Sequence, residues 1–294
     1  MKNLANLRHT LAISLLLGSG LLTGCVSGGS FNPRPISSQR NTPGASDLRI
    51  AESALQAGDF ELAATLFERT LAAHPGSLDA QLGLGDAMYQ AGDLERARAL
   101  YQQAALQTPV RPAAQLGLAR VALRQRRLGD ATALYRGLLT AQPDNPVVCE
   151  GLGTVLDLQG RHADAQAVYR AALAVHPEVQ GLRVNLGLSL VLDNKPREAA
   201  NTLLDVAGLP DAPIQARQNL ALAYGLLGNA DAAKRILLAD LPPSTAEDDL
   251  RFYQVLRDRF ASYSAGATHA DPAATAATAT TVTGVAPLTI GMPK

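Results

Sequence analysis

Few residues in this chain are placed to do covalent chemistry. Its two cysteines are Cys25 and Cys149, and its five histidines are His9, His74, His162, His176 and His269. A thiolate can serve as nucleophile or metal ligand, and an imidazole as base or ligand. Neither residue type is clustered along the chain. No His-Glu-x-x-His, Cys-x-x-Cys or glycine-rich phosphate loop occurs. His74 and His176 each precede a proline, Pro75 and Pro177, which marks them as turn residues, and His162 stands singly in an expected turn between helices. The expectation is a non-enzyme with no metal site, no cofactor and no small-molecule substrate.

The charge balance excludes another class. The 26 basic and 26 acidic side chains cancel, tryptophan is absent, and no long basic stretch occurs. Phosphate backbones are bound by clustered Lys and Arg, so nucleic acid is not an expected partner.

What the sequence does carry is a period. Alanine recurs every 34 residues at Ala63, Ala97, Ala131, Ala165, Ala199 and Ala233. Four residues later comes a large apolar side chain: Phe67, Tyr101, Tyr135, Tyr169, Leu203 and Leu237. Pro75, Pro109, Pro143 and Pro177 keep the same step, as do the pairs from Ile50-Ala51 to Leu220-Ala221. Each unit has two runs of helical periodicity around a break at Gly58, Gly92, Arg126, Gly160, Asn194 or Gly228. The alanine lets two helices approach, the large residue covers the same face one turn on, and proline ends the second helix. A fixed period of this length predicts a stacked solenoid.

The Leu-Gly, Ala-x3-aromatic and Pro positions resemble the tetratricopeptide repeat (TPR) family. That resemblance implies an all-α superhelical solenoid of about six helix-turn-helix repeats, 44–77, 78–111, 112–145, 146–179, 180–213 and 214–247. Pro196 falls just inside the second helix of the fifth unit, and the run Gly208 to Pro213 predicts a longer connection. A capping helix is expected over 246–261, with Ser244 or Thr245 as its cap, and a disordered Ala/Thr-rich tail over 264–294. Cys149, the fourth residue of the fourth unit, occupies a core position of the family pattern and reads as a small buried hydrophobe.

The resemblance also implies that the first helices line a protein-binding groove. Its positions fall on Leu82, Asp86, Tyr89, Leu116, Arg120, Leu123, Glu150, Thr154, Asp157, Val184, Leu188, Val191, Gln218 and Leu222. Arg120 and Arg124 could receive an acidic partner group, or could pair internally with Asp86 and Asp157. The Lys and Asn set of chaperone-binding carboxylate clamps is not reproduced.

The N-terminus carries the remaining chemistry. Lys2 and Arg8 precede an apolar run from Leu11 to Leu22, too short for a membrane span. It ends in Leu22-Thr23-Gly24-Cys25, which resembles the bacterial lipobox. The resemblance implies a signal peptide over 1–24 and a diacylglycerol (with palmitate-type acyl chains) on Cys25. Each buried methylene of the acyl chains contributes ~0.8 kcal/mol to anchoring. Val26 in place of Asp implies the outer membrane, with the repeats facing the periplasm. Residues 25–46, with the lipidated Cys25, are rich in Gly, Ser and Pro and read as a flexible tether reaching on the order of 25 Å.

The segment Arg217-Gln-Asn-Leu-Ala-Leu-Ala-Tyr-Gly-Leu-Leu-Gly, the Leu241-Pro-Pro and the following Asp248-Asp-Leu-Arg-Phe-Tyr resemble the TadD lipoproteins of Tad (Flp) tight-adherence pilus systems. This implies a pilotin-like chaperone that binds the pilus secretin or other pilus-assembly proteins. Two alternatives stay open: another TPR lipoprotein scaffold, for type IVa pilus or envelope or polysaccharide assembly, and an accessory regulator of a periplasmic cell-wall enzyme.

Overall fold

The computed structural model describes residues 45–267, and among these there are thirteen α-helices, one 3-10 turn and no strand. The helices are α1 Ala45–Gln56, α2 Phe60–Ala73, α3 Leu78–Ala91, α4 Leu94–Ala104, α5 Arg111–Arg124 and α6 Leu128–Ala141. They continue as α7 Pro146–Leu158, α8 His162–Val175, α9 Gln180–Leu192, α10 Pro196–Ala207, α11 Ile214–Leu226, α12 Ala230–Leu237 and α13 Pro243–Ala267. None of them is long and apolar enough to cross a membrane. The lipobox residues Leu22, Thr23, Gly24 and Cys25, the tether to 44, and residues 268–294 lie outside the described residues.

The breaks read from the sequence are left-handed turns. Gly58, Gly92, Gly160 and Gly228 have φ of 82°, 90°, 73° and 81°. Arg126 and Asn194 hold the equivalent positions at 59° and 55°. Glycine reaches this region freely, whereas a Cβ makes it costly. Directly after three of these turns, and before two other helices, a side chain caps the new helix. Asp59, Ser77, Asp93, Asn145 and Asn229 each accept an amide from the following first turn.

Proline stops α2, α6 and α8 two residues past their last helical residue, at Pro75, Pro143 and Pro177. Pro109 behaves differently, because α4 has already ended at Ala104 and Pro109 lies in the 3-10 turn Thr108–Val110. There Arg111 Nε donates to the Ala105 carbonyl at 3.1 Å, taking up an acceptor left open by the early stop. Pro196 is the first residue of α10, where its missing N–H costs nothing. The expected longer connection is present as residues 208–213, equal in length to 105–110 and longer than 74–77, 142–145 and 176–179. The cap expected at Ser244 or Thr245 is not one: α13 begins at Pro243, which places both residues inside its first turn. That helix also runs to Ala267, past 261 and into the first residues assigned to the tail.

Consecutive helices pack along the whole array, and each odd-numbered helix also touches the next odd-numbered one. Even-numbered helices make no comparable contact with one another. The odd helices therefore line the inside of the curve and the even ones its outside.

The packing unit is a large side chain set against a missing one. Tyr101 of α4 fills the gap between Gly85 of α3 and Gly117 of α5, where an added Cβ would stand 2.8 and 2.5 Å from the ring. Phe67 lies against Gly83, Tyr135 against Gly151, Tyr169 against Gly153, and Leu203 against Gly187. Tyr253 of α13 closes the array in the same manner, over Gly225, with Ala221, Ala233 and Leu237 beneath it. Phe67, Tyr101, Tyr135 and Tyr169 are each at most 2% exposed, so these contacts carry much of the apolar burial.

Glycine to alanine in a helix ordinarily stabilises by about 0.4–1 kcal/mol. Gly137 in α6, with open space around it, should follow that rule. Gly117→Ala should instead destabilise by about 1–3 kcal/mol through overpacking on Tyr101. Parallel denaturant melts of the two variants, with opposite signs expected, check this.

Candidate functional site

The inner face is built from side chains one and two turns apart on α3, α5, α7, α9 and α11. Leu82, Asp86 and Tyr89 stand on α3, Leu116, Arg120, Leu123 and Arg124 on α5, and Glu150, Thr154 and Asp157 on α7. Leu188 lies on α9, and Gln218 and Leu222 on α11. All are half-buried except Arg124, which is exposed. Val184 and Val191 do not belong with them. At 6% and 3% exposure both are buried, Val184 against Val206 and Ala216, and Val191 in the main core. The half-buried positions of α9 are instead Gln180, Gly181, Arg183, Asn185, Leu188 and Leu192, so the family register alone misplaced these two valines.

The arginine pair is divided in role. Arg124 is used internally: its Nη1 donates to the Tyr89 carbonyl at 2.5 Å, and its guanidinium lies 4.8 Å from the Tyr89 ring centroid. This is a pairing with backbone and aromatic ring, not with the expected Asp86 or Asp157. Arg120 makes no hydrogen bond or ion pair among the described residues, yet its charge is felt by Asp86, Glu150 and Tyr135.

The tyrosines that pack the solenoid also deliver their hydroxyls here. Tyr101 OH donates to Asp86 Oδ1 at 2.5 Å, and Tyr169 OH donates to Asp157 Oδ2 at 3.3 Å. Burial and the neighbouring carboxylate push both phenols well above the ordinary tyrosine range. Tyr135, beside Arg120, is pushed up to about 12, chiefly by burial.

Asp157 gathers a cluster that sequence spacing did not disclose. Ser189 Oγ of α9 donates to Asp157 Oδ1 at 2.6 Å, and His162 Nδ1 of α8 lies 2.9 Å from the same oxygen. His162 is thus the first residue of α8 and a partner of α7, not a bare turn residue. The three groups do not form a nucleophile–base relay. The Ser189 hydroxyl donates its hydrogen bond to the carboxylate rather than to the imidazole, so the cluster ties α7, α8 and α9 together. His176 likewise bridges units, with Nε2 2.7 Å from the Asp144 carbonyl oxygen. Cys149 is 5% exposed, and burial pushes its thiol up, which keeps it an unreactive core residue.

Burial raises the carboxyl groups of Asp86, Glu150 and Asp157 above their usual range. Among the described residues Glu150 has no hydrogen bond to offset that desolvation. A raised folded-state value means the folded chain holds this proton to higher pH than the unfolded chain does. The charge therefore costs stability above the ordinary glutamate range and costs nothing well below it. Glu150→Gln should accordingly raise the melting temperature at pH 7 by a few degrees and leave it unchanged near pH 3. Thermal melts across that interval check the sign.

Comparison with known proteins agrees with this architecture. The tetratricopeptide repeat family matches residues 54–121, 90–150 and 122–186. No curated protein sequence matches the chain. Among solved structures, a tetratricopeptide repeat protein from Parabacteroides merdae is similar with a TM-score of 0.59 at 11% identity, covering 73% of this chain and 87% of that one. PilF of Pseudomonas aeruginosa gives 0.60 at 16% identity, covering 73% and 99%. A chain of the APC/C hetero-tetramer Cut9-Hcn1 gives 0.64 at 17% identity, covering 74% and 44%. At these identities the likeness is one of fold. With the family matched directly over 54–186 and the same helix pairing continuing beyond it, the chain is an all-α tetratricopeptide-repeat solenoid.

Proposed function

We propose that the protein is a non-catalytic, lipid-anchored scaffold for assembly of a Tad/Flp (type IVb) pilus, acting as a pilotin-like chaperone of the outer-membrane secretin. The observation that carries the scaffold reading is the inner face. Five odd helices present it side by side, with half-buried leucines between polar groups, and no described element packs over it. TPR arrays generally mediate protein–protein contact, and such a face suits an extended or helical segment of a client.

The finer assignment rests on sequence. The lipobox ending at Cys25 supports anchoring at the outer membrane, and the features after Arg217 resemble the Tad lipoproteins. The chain also shares its fold with PilF of Pseudomonas aeruginosa along 99% of that protein. An anchor confines the inner face to the membrane surface and raises its effective concentration for a membrane-bound client.

The test is affinity capture of the full-length lipidated protein from detergent-solubilised envelopes, followed by mass spectrometry. A secretin together with other pilus-assembly proteins is the expected catch. Recovery of cell-wall or polysaccharide enzymes in their place would overturn the pilus assignment. Cys25→Ala should abolish incorporation of labelled palmitate and release the protein from the membrane fraction. Persistent membrane association of that variant would sink the anchor.

A further inference from the structure

The charges of the inner face alternate across three successive odd helices. Asp86 on α3 and Arg120 on α5 hold equivalent places 34 residues apart, and Glu150 stands on α7 one turn before the next equivalent place, Thr154. Arg120 acts on both carboxylates without bonding either. Asp86 receives only the Tyr101 hydroxyl, and no hydrogen bond to the Glu150 carboxylate is found among the described residues. The neighbouring charges are already committed: Arg124 to Tyr89, and Asp157 to His162, Ser189 and Tyr169. What stays under-compensated is a row of signs, minus, plus, minus, on half-buried positions beside Leu82, Leu116 and Leu123.

Three kinds of client meet this row differently. A lone anion drawn to Arg120 would stand between two carboxylates. A uniformly basic segment would bring a cation onto Arg120. Only a segment of alternating sign satisfies all three groups at once, and like charges opposed at an interface cost several kcal/mol. Packed helices lie about 8–10 Å apart. A segment in the polyproline II conformation rises about 3.1 Å per residue with about three residues per turn, so client charges about three residues apart span that distance on one face.

We propose that the inner face of α3, α5 and α7 binds an extended, polyproline-II-like protein segment in which one acidic side chain is flanked, about three residues away on each side, by basic ones. The acidic group sits on Arg120, the basic groups on Asp86 and Glu150, and apolar residues between them on the leucines. This rests on the reading of the inner face as a protein-binding surface and names the chemistry of its client. It also explains why Glu150 is kept half-buried without a hydrogen bond. The charge is uncompensated until the client supplies its cation.

Fluorescence anisotropy at low ionic strength tests it with two labelled peptides. One has the core Lys-Ser-Leu-Glu-Ser-Leu-Lys, the other the charge-reversed core Glu-Ser-Leu-Lys-Ser-Leu-Glu. The first should bind the full chain about tenfold tighter or more, with the difference narrowing as salt rises. Arg120→Glu, verified as folded by circular dichroism, should lose that preference. The variant should regain binding with the core Lys-Ser-Leu-Lys-Ser-Leu-Lys. Equal affinity for the two peptides, tighter binding of the reversed one, or binding of neither overturns the alternating-charge proposal. The captured envelope proteins report on the scaffold reading separately. A secretin recovered alongside unbound peptides would leave that reading standing and remove only this one.

Discussion

The contact on which the solenoid depends is a large side chain set where its neighbour has no Cβ. Phe67, Tyr101, Tyr135, Tyr169 and Leu203 each occupy a space that a glycine on an adjoining odd helix leaves open. Interiors pack at crystal-like density, so neither partner can change size alone. With Ala63 and its equivalents at 0% exposure on the same helices, one small residue and one large residue per unit set how closely the odd helices approach. The sequence period is the repetition of that contact.

Packing and recognition share the same side chains. The rings of Tyr101 and Tyr169 lie in the core, while their hydroxyls emerge among the carboxylates of the inner face. A tyrosine at this place fixes the depth and orientation of Asp86 and Asp157, whereas Phe67 and Leu203 fill the same space and offer no hydroxyl. The polar part of the inner face therefore coincides with the stretch of units that use tyrosine.

Features that repeat were legible in the sequence. The left-handed turns at Arg126 and Asn194 could be placed because four glycines marked the same phase, although neither residue announces such a turn by itself. Features arising between units were not. Nothing in spacing joins Asp157 to both His162 and Ser189, or turns Arg124 toward the Tyr89 carbonyl, because these bonds depend on how far one helix is rotated against the next. In α9 seven of the thirteen residues are leucine or valine, so the pattern could not tell the buried Val184 and Val191 from the half-buried Leu188. The start of α13 was missed for a local reason. A serine and a threonine after two prolines signal a cap, yet Pro243 already has the backbone angle of a first helical residue.

The unequal contacts of odd and even helices make the array behave as a one-sided spring. Along the inside, helices already touch, and further coiling would have to compress close-packed side chains. Along the outside there is no such stop, and the hinges are short turns. Opening widely would break the odd–odd contacts, while small changes of pitch only slide packed helices past one another, which costs little. Polar ties between elements recur along the array, from Arg69–Asp47 through Arg124–Tyr89 and Ser189–Asp157 to Arg217–Asp240. Elastic strain from a load on the array would thus be shared among its units.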